Sequence, residues 1–127
     1  VESKVYEFNN PDENALVFLT TNFALSYFAV ANELSGLKCG SYLVITPSEG
    51  MSVLTAWSAQ KITAEIASKV VSANDILNKV KSRRIIIPGL LSDLREELQE
   101  ALPDWKIVVG TTEAYKIPDF VKKLSDV

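Results

Sequence analysis

Hydroxyl and glycine residues gather at four places in this sequence, each directly after a run of apolar residues. The four segments are Thr20-Thr21-Asn22, Thr46-Pro47-Ser48-Glu49-Gly50, Pro88-Gly89 and Gly110-Thr111-Thr112. Hydroxyl and backbone N–H groups donate to carbonyl or phosphate oxygens, and glycine lets a ligand approach the backbone. This favours binding of a large uncharged or phosphate-bearing ligand. The same residue types also form ordinary βα turns and helix caps, so both interpretations stay open.

A helix without charged residues is predicted after the second of these segments, over Ser52–Gln60. It carries three hydroxyl side chains, those of Ser52, Thr55 and Ser58. A surface helix normally has a charged face, so we expect something to cover this one. The cover could be a ligand, another part of the chain or a partner protein. Met51 and Trp57 are expected in the core or, alternatively, as a wall for a flat ligand.

The residue types that are absent exclude several kinds of chemistry. The 127 residues contain no histidine, which excludes a Ser-His-Asp triad, a Cys-His pair and an imidazole metal ligand. Cys39 is the only cysteine, which excludes an intrachain disulfide and favours a cytoplasmic location. A net charge of −3 argues against nucleic-acid binding. No apolar run is long enough to span a membrane.

Four continuous apolar runs predict the strands that position the candidate segments. These runs are Ala15–Leu19, Tyr42–Ile45, Arg84–Ile87 and Trp105–Val109. Helical spacing predicts six helices, over Phe23–Leu34, Ser52–Gln60, Lys61–Val71, Ala73–Lys81, Ser92–Leu102 and Pro118–Leu124. Thr21 or Asn22 is expected to cap the first of them. Residues 1–14 are expected to form an N-terminal arm or linker, and residues 15–127 the domain.

The order of these elements predicts an α/β fold. We expect a three-layer sandwich with a mostly parallel, flavodoxin-like or Rossmann-like sheet of four to five strands, because continuous apolar runs are typical of parallel strands covered on both faces. When the four runs are numbered 1 to 4 along the chain, the order of the strands across the sheet is expected to be 2-1-3-4. The topological switch point, where such folds bind ligands, then lies between runs one and three. Dinucleotide-binding and P-loop glycine motifs are absent.

Long segments of the chain carry a resemblance to a known family. They read ALVFLTTNFALSYF from Ala15, YLVITPSEGMSVLTAWSAQK from Tyr42, RIIIPG from Arg84 and LPDWKIVVGTTEA from Leu102. These segments resemble the C-terminal corrinoid-binding domain of the corrinoid iron–sulfur protein large subunit, the gamma subunit of the acetyl-CoA decarbonylase/synthase complex. The resemblance covers nearly all residues from 15 to 120. The chain departs from the family pattern at Gln60, where the family has glycine, and at Pro47-Ser48 and Thr111-Thr112.

The resemblance implies a methyl-carrier domain of the acetyl-CoA (Wood–Ljungdahl) pathway rather than a self-sufficient enzyme. Its cofactor would be a corrinoid (cobalamin), held base-off at the C-terminal ends of the strands without a protein histidine ligand, and with no iron–sulfur cluster in this chain. The implied partners are a methyltransferase, acetyl-CoA synthase and other corrinoid-protein subunits. Twelve residues are expected to border the cofactor, namely Thr20, Thr21, Asn22, Ser48, Glu49, Gly50, Met51, Ser52, Thr55, Pro88, Gly89 and Gly110.

Two other functions stay open at this point. The same fold with an empty or repurposed rim would serve as an interaction module for assembly with partner subunits. A flavodoxin-like flavin site is a third option. No catalytic side chain and no protein metal ligand is expected in any of the three.

Overall fold

The computed structural model of this chain describes residues 2–125, which form a central sheet with helices on both faces. The strands are β1 (Val5–Phe8), β2 (Leu16–Thr21), β3 (Ser41–Thr46), β4 (Arg84–Ile87) and β5 (Lys106–Val109). The α-helices are α1 (Ala24–Ser35), α2 (Val53–Ser58), α3 (Ala64–Ala73), α4 (Arg95–Ala101) and α5 (Ile117–Ser125). Short 3₁₀ helices cover Ile76–Asn78, Gly89–Leu94 and Ala114–Lys116. Within residues 2–125, no helix has the length and apolar character needed to cross a membrane.

The sheet confirms the predicted α/β sandwich. Its strand order is β1-β3-β2-β4-β5. Strands β2 to β5 are parallel and follow the expected order, while β1 runs antiparallel to β3. One core, under α2, α3 and α4, packs on one face of the sheet. A smaller core, under α1 and α5, packs on the other face and completes the three layers.

Strand β1 lies within the residues expected to form an arm or linker, where the sequence predicted no strand. All four of its residues pair with β3, from Val5 opposite Val44 to Phe8 opposite Ser41. The Tyr6 ring also packs against a ring of α1, with centroids 4.8 Å apart. An edge strand needs hydrogen bonds on one side only, so a four-residue segment with polar neighbours forms it without a long apolar run.

Helix α1 does not have the cap that the sequence predicted. Its N-cap residue is Phe23, which makes no side-chain capping hydrogen bond. Asn22, one of the two expected caps, instead turns its side-chain oxygen toward the loop that follows β3. The other expected cap, Thr21, is still part of β2. The capping prediction was therefore wrong, because a tertiary contact competes for the same side chain.

The helix expected over residues 73–81 is reduced to the 3₁₀ helix Ile76–Asn78. The Asn74 side-chain nitrogen donates to the carbonyl oxygen of Val70 at 2.7 Å and closes the end of α3. Asp75 then adopts a left-handed conformation with φ of 54°. An α-helix cannot continue through a left-handed residue, which explains why this weakly apolar segment does not form one.

The helix expected over residues 92–102 is present but divided. Its first turns are the 3₁₀ helix Gly89–Leu94, and α4 begins at Arg95. Its helical spacing places four leucines on one face, and all four are buried, namely Leu91, Leu94, Leu98 and Leu102. The apolar spacing therefore predicted the buried face correctly, although it did not predict the change of helix type.

Helix α2 ends in a Schellman motif that has glutamine at the left-handed position. The backbone N–H of Lys61 donates to the carbonyl oxygen of Ala56 at 2.8 Å. The backbone N–H of Gln60 donates to the carbonyl oxygen of Trp57 at 3.1 Å. These two bonds define the motif, which requires a left-handed residue between them. Gln60 has a φ of 57°. Glycine would occupy this position without contact between Cβ and the backbone.

We expect Gln60→Gly to raise the free energy of unfolding by about 0.5–1 kcal/mol. The left-handed conformation costs a non-glycine residue about 1–2 kcal/mol, and the greater freedom of glycine in the unfolded chain cancels part of the gain. Urea denaturation of the variant and the parent protein measures the difference. Gln60→Ala is the control and should bring no gain, because alanine keeps the Cβ; equal stabilisation by both substitutions would contradict this explanation.

Candidate ligand-binding site

A cavity of about 320 Å³ opens at the carboxyl edge of the sheet, where β2 and β4 separate. The two strands pair only at Val17 with Ile85 and at Phe18 with Ile86. Beyond Phe18, β2 continues beside β3 as far as Thr21, and β4 continues beside β5. This gap is the topological switch point that the strand order predicts.

The walls of the cavity come from both strands and from helices on each side. Phe18, Thr20 and Ile86 contribute from the strands, and Pro88 and Leu90 follow β4. The start of α2 and the segment after β5 form the rim, with Ser52, Val53, Leu54, Gly110, Thr111 and Thr112. Helices α1 and α5 close the far side with Ala29, Val30, Ile117 and Phe120. The cavity thus extends below the rim toward the smaller core.

Every ligand contact that this cavity offers is apolar or neutral. Among the described residues that line it, none has an ionisable side chain. The available polar groups are hydroxyls, those of Thr20, Ser26, Ser52, Thr111 and Thr112. A site without an acid or a base cannot perform proton transfer with its own side chains. The arrangement is therefore suited to holding a ligand.

Exposed apolar side chains surround this edge of the sheet. After each of the parallel strands, within a few residues, the chain places one large apolar residue in solvent: Leu25 (70% exposed), Leu54 (58%), Leu90 (42%) and Tyr115 (67%). Phe28 lies one turn beyond Leu25 on α1 and is 62% exposed. Isolated exposed apolar residues are common, but a group of them at one edge marks a surface that binds something.

Two exposed ion pairs lie near this edge. The Glu49 carboxylate lies 3.2 Å from the Lys61 ammonium, and the Glu113 carboxylate lies 3.8 Å from that of Lys116. A hydrogen bond to Glu113, together with the charge of that carboxylate, raises the pKa of the Tyr115 phenol, which therefore stays neutral at ordinary pH. Solvent and salt screen exposed pairs of this kind, so the edge attracts neither anions nor cations strongly.

Four of the twelve residues predicted to border a ligand line the cavity: Thr20, Ser52, Pro88 and Gly110. Thr21 is completely buried and belongs to the opposite face of the sheet from Thr20, because successive side chains of a strand alternate. Its hydroxyl and that of Thr46 have no hydrogen-bond partner in the described part of the chain. Direct contact between any of the twelve residues and a ligand stays a prediction.

Five further predicted residues form one loop and its support. The Asn22 side-chain oxygen accepts hydrogen bonds from the backbone N–H groups of Ser48 and Gly50, at 3.2 and 2.9 Å. Glu49 points toward Lys61. Met51 is partly buried and packs against the larger core, as does Trp57. Both residues thus take part in the core, while their contact with a ligand stays a prediction.

The uncharged helix α2 has an open face. Leu54, Thr55 and Ser58 are all exposed, whereas Val53 and Ala56 are buried against the core. Burial by another part of the described chain, one of the three covers considered from the sequence, is therefore excluded. The predicted site residue Thr55 is open to solvent in the described part of the chain, and its cover by a ligand or a partner protein stays a prediction.

Sequence reasoning missed most of the apolar wall of the cavity. Leu54 and Leu90 carried a usable signal, because each is a large apolar residue just past a strand end. No sequence signal marked the helical wall residues Ala29, Ile117 and Phe120, because apolar residues at helical spacing look the same in a packed core and in a cavity wall. Their role follows only from the separation of the two central strands.

The mostly parallel sheet with helices on both faces defines a doubly wound α/β domain, and its cavity lies at the switch point where such domains bind ligands. Comparison with known families gives a narrower assignment. The model of the CO dehydrogenase/acetyl-CoA synthase delta subunit family matches residues 1–121, and the chain belongs to this family.

Several curated relatives are similar to nearly the whole chain. The corrinoid/iron-sulfur protein large subunit of Moorella thermoacetica is 41% identical over 122 residues, which are 96% of this chain and 27% of that protein. The acetyl-CoA decarbonylase/synthase complex subunit gamma of Methanopyrus kandleri is 31% identical over 123 residues, or 97% of this chain and 26% of that protein. The chain spans about a quarter of the length of these relatives, and the family predicted from the sequence is confirmed.

Gly89, another predicted contact, is required by the protein's own packing. A Cβ atom at this position would lie 2.8 Å from the Thr112 methyl carbon, 2.9 Å from the Thr112 nitrogen and 3.0 Å from the Gly110 oxygen. Two of these three neighbours are backbone atoms, which cannot rotate away. A bulky residue at Gly89 would therefore disturb the rim itself, and its effect on a ligand would not report a direct contact.

We expect Gly89→Ala to lower the free energy of unfolding by about 1–3 kcal/mol, because overpacking of a tight site costs this much. The matched control is Gly36→Ala at the end of α1, where the nearest atom to a new Cβ is 3.6 Å away. With a φ of −85°, that substitution should be neutral or stabilising by about 0.4–1 kcal/mol. Urea denaturation compares the two; equal effects would show that the Thr112 contact does not matter.

Proposed function

We propose that this chain binds a corrinoid at the carboxyl edge of the sheet and serves as a methyl-carrier domain of the acetyl-CoA (Wood–Ljungdahl) pathway. Membership in the CO dehydrogenase/acetyl-CoA synthase delta subunit family supports the pathway, and the name of the Moorella relative, a corrinoid/iron-sulfur protein, supports the cofactor. The observation that carries the proposal is the uncharged cavity at the switch point, surrounded by exposed apolar residues.

The chemistry of this edge fits a corrinoid. A corrin ring has a broad apolar surface with amide groups at its rim, so it needs apolar contacts and scattered neutral hydrogen bonds. Leu54 and Leu90 offer the apolar contacts. The hydroxyls of Thr20, Ser52 and Thr111 offer the neutral hydrogen bonds. When bound, a corrinoid supplies a cobalt ion that can carry a methyl group.

We further propose that the corrinoid is held base-off, as the resemblance to the family implies. The chain has no histidine with which to replace the nucleotide base on cobalt. A base released from cobalt needs a separate apolar slot, and the cavity of about 320 Å³ falls in the size range of small-molecule sites. The rings of Phe18 and Phe120 line it. We propose that these residues hold the base and exclude water around it.

The uncharged lining also supports a carrier rather than a self-sufficient enzyme. Without an acid or base beside the ligand, the chain's own residues bind and orient, and a second protein must supply any proton transfer. We therefore propose a methyltransferase as donor, acetyl-CoA synthase as acceptor, and other corrinoid-protein subunits as the partners that complete the site.

One observation favours the alternative function, an interaction module. The exposed face of α1 carries no charge and consists of Ala24, Leu25, Phe28, Ala29, Asn32 and Ser35. The exposed face of α4, in contrast, carries Glu96, Glu97 and Glu100. A surface helix with an apolar outer face indicates a protein interface. In this alternative the carboxyl edge and α1 both contact a partner subunit and no corrinoid binds.

The test of the proposed function compares two corrinoids. The protein is mixed with hydroxocobalamin or with cobinamide, which lacks the nucleotide base, then desalted and examined by its visible absorption spectrum. We expect both to be retained and hydroxocobalamin to bind more tightly, because only its base can fill the cavity. Equal affinity would remove the proposed base slot, and loss of both corrinoids on desalting would favour the interaction module.

We expect Thr55→Glu to weaken hydroxocobalamin binding about 5- to 150-fold, since covering an unpaired carboxylate costs about 1–3 kcal/mol. Stability should stay the same or rise slightly, because Thr55 is exposed and the new Glu would complete a capping box with the N-cap Ser52. Ser82→Glu adds the same charge before β4, at the opposite edge, and should leave binding unchanged. Unchanged binding in both variants would show that the ligand does not cover α2.

A further inference from the structure

A single side-chain oxygen connects the ends of β2 and β3. Asn22 follows β2 directly, and its Oδ1 accepts hydrogen bonds from the Ser48 backbone N–H at 3.2 Å, the Ser48 hydroxyl at 2.6 Å and the Gly50 backbone N–H at 2.9 Å. Backbone N–H groups only donate, so the oxygen and not the nitrogen of the amide must face the loop.

The loop that receives these bonds has an unfavourable backbone. Glu49 and Gly50 have φ values of 55° and 73°, and the Met51 N–H closes the turn by donating to the Ser48 carbonyl at 3.0 Å. A left-handed Glu49 needs support from its surroundings. Ser48 is 1% exposed, so its N–H would have no access to water if Asn22 were removed.

The position of this loop decides the position of one wall of the cavity. The loop leads directly into Ser52, Val53 and Leu54, which line the cavity at the start of α2. Helix α2 has only six residues, so it has little stability of its own and depends on how its two ends are held. Its far end is held by the Schellman motif at Gln60, and its near end by the loop.

We propose that Asn22 is a positioning residue, which holds the Ser48–Met51 loop and through it the α2 wall of the corrinoid site without contacting the ligand. The inference rests on the proposed function for the identity of the ligand. The three donors use the acceptor capacity of the Asn22 oxygen, since an amide oxygen has two lone pairs. In this proposal Asn22 supports the loop, whereas the sequence suggested that it contacts the ligand directly.

The test uses Asn22→Ala, which removes the acceptor, and Asn22→Asp, which keeps an oxygen in the same place. In Asn22→Ala, we expect amide hydrogen exchange at Ser48 and Gly50 to become at least about tenfold faster, with Val44 of β3 unchanged. Hydroxocobalamin affinity should fall about tenfold, because a smaller fraction of the protein presents the formed wall. Asn22→Asp should restore both properties.

Two further variants make the comparison specific. Asn74→Ala removes another asparagine hydrogen bond, the one that ends α3, and should lower stability without changing loop exchange or affinity. Ser48→Ala removes the hydroxyl that lies 2.6 Å from the Asn22 oxygen and 2.9 Å from the Met51 carbonyl oxygen, but it keeps both backbone bonds to Asn22, so it should raise loop exchange less than Asn22→Ala does. It also provides the test if Asn22→Ala does not fold.

The outcomes separate this inference from the proposed function. The positioning role of Asn22 would be overturned if the exchange rates at Ser48 and Gly50 in Asn22→Ala equalled those of the wild-type protein. It would also be overturned if exchange became faster while hydroxocobalamin affinity stayed unchanged. Slow exchange but weak binding in Asn22→Asp would also overturn it, because the Asn22 nitrogen would then contact the ligand. If the wild-type protein binds no corrinoid, the proposed function fails, while the exchange comparison still decides for or against the loop-holding role.

Discussion

The short pairing between β2 and β4 is the constraint on which the rest of the site depends. Each of the two strands pairs over more positions with its outer neighbour, since β2 pairs with β3 at six positions and β4 with β5 at four, whereas β2 and β4 pair at only two. Right-handed connections then carry the chain to opposite faces on the two sides of this gap. The space left at the carboxyl edge can be filled only by side chains from the flanking helices or by a ligand.

Sequence patterns predicted the fold and the region of the site because both follow from the order of the apolar runs. Continuous apolar strands with helical segments between them allow few topologies, and the switch point follows from the strand order alone. The same reasoning had no access to β1, which has only four residues and carries the charged Glu7 among Val5, Tyr6 and Phe8. Edge strands are specified by their partner more than by their own sequence.

The individual roles of the site residues could not be predicted, because they depend on which partner each side chain meets. Asn22 has the right residue type for a helix cap, and only the nearness of the loop after β3 changes its role. Gly89 looked like a place where a ligand approaches the backbone, yet the closest approach is made by Thr112 of the same chain. Residue type limits what a side chain can do, and tertiary contacts select among those possibilities.

The antiparallel direction of β1 decides from which side the chain enters the domain. Because Val5 lies opposite Val44 and the Ile45 N–H donates to the Lys4 carbonyl at 2.9 Å, the first described residues lie beside the carboxyl edge of β3. Helix α5, which follows β5, leads away from that edge. A segment that leads into β1 therefore approaches from the carboxyl side of the sheet, the side on which the cavity opens, whereas α5 carries the chain toward the opposite side.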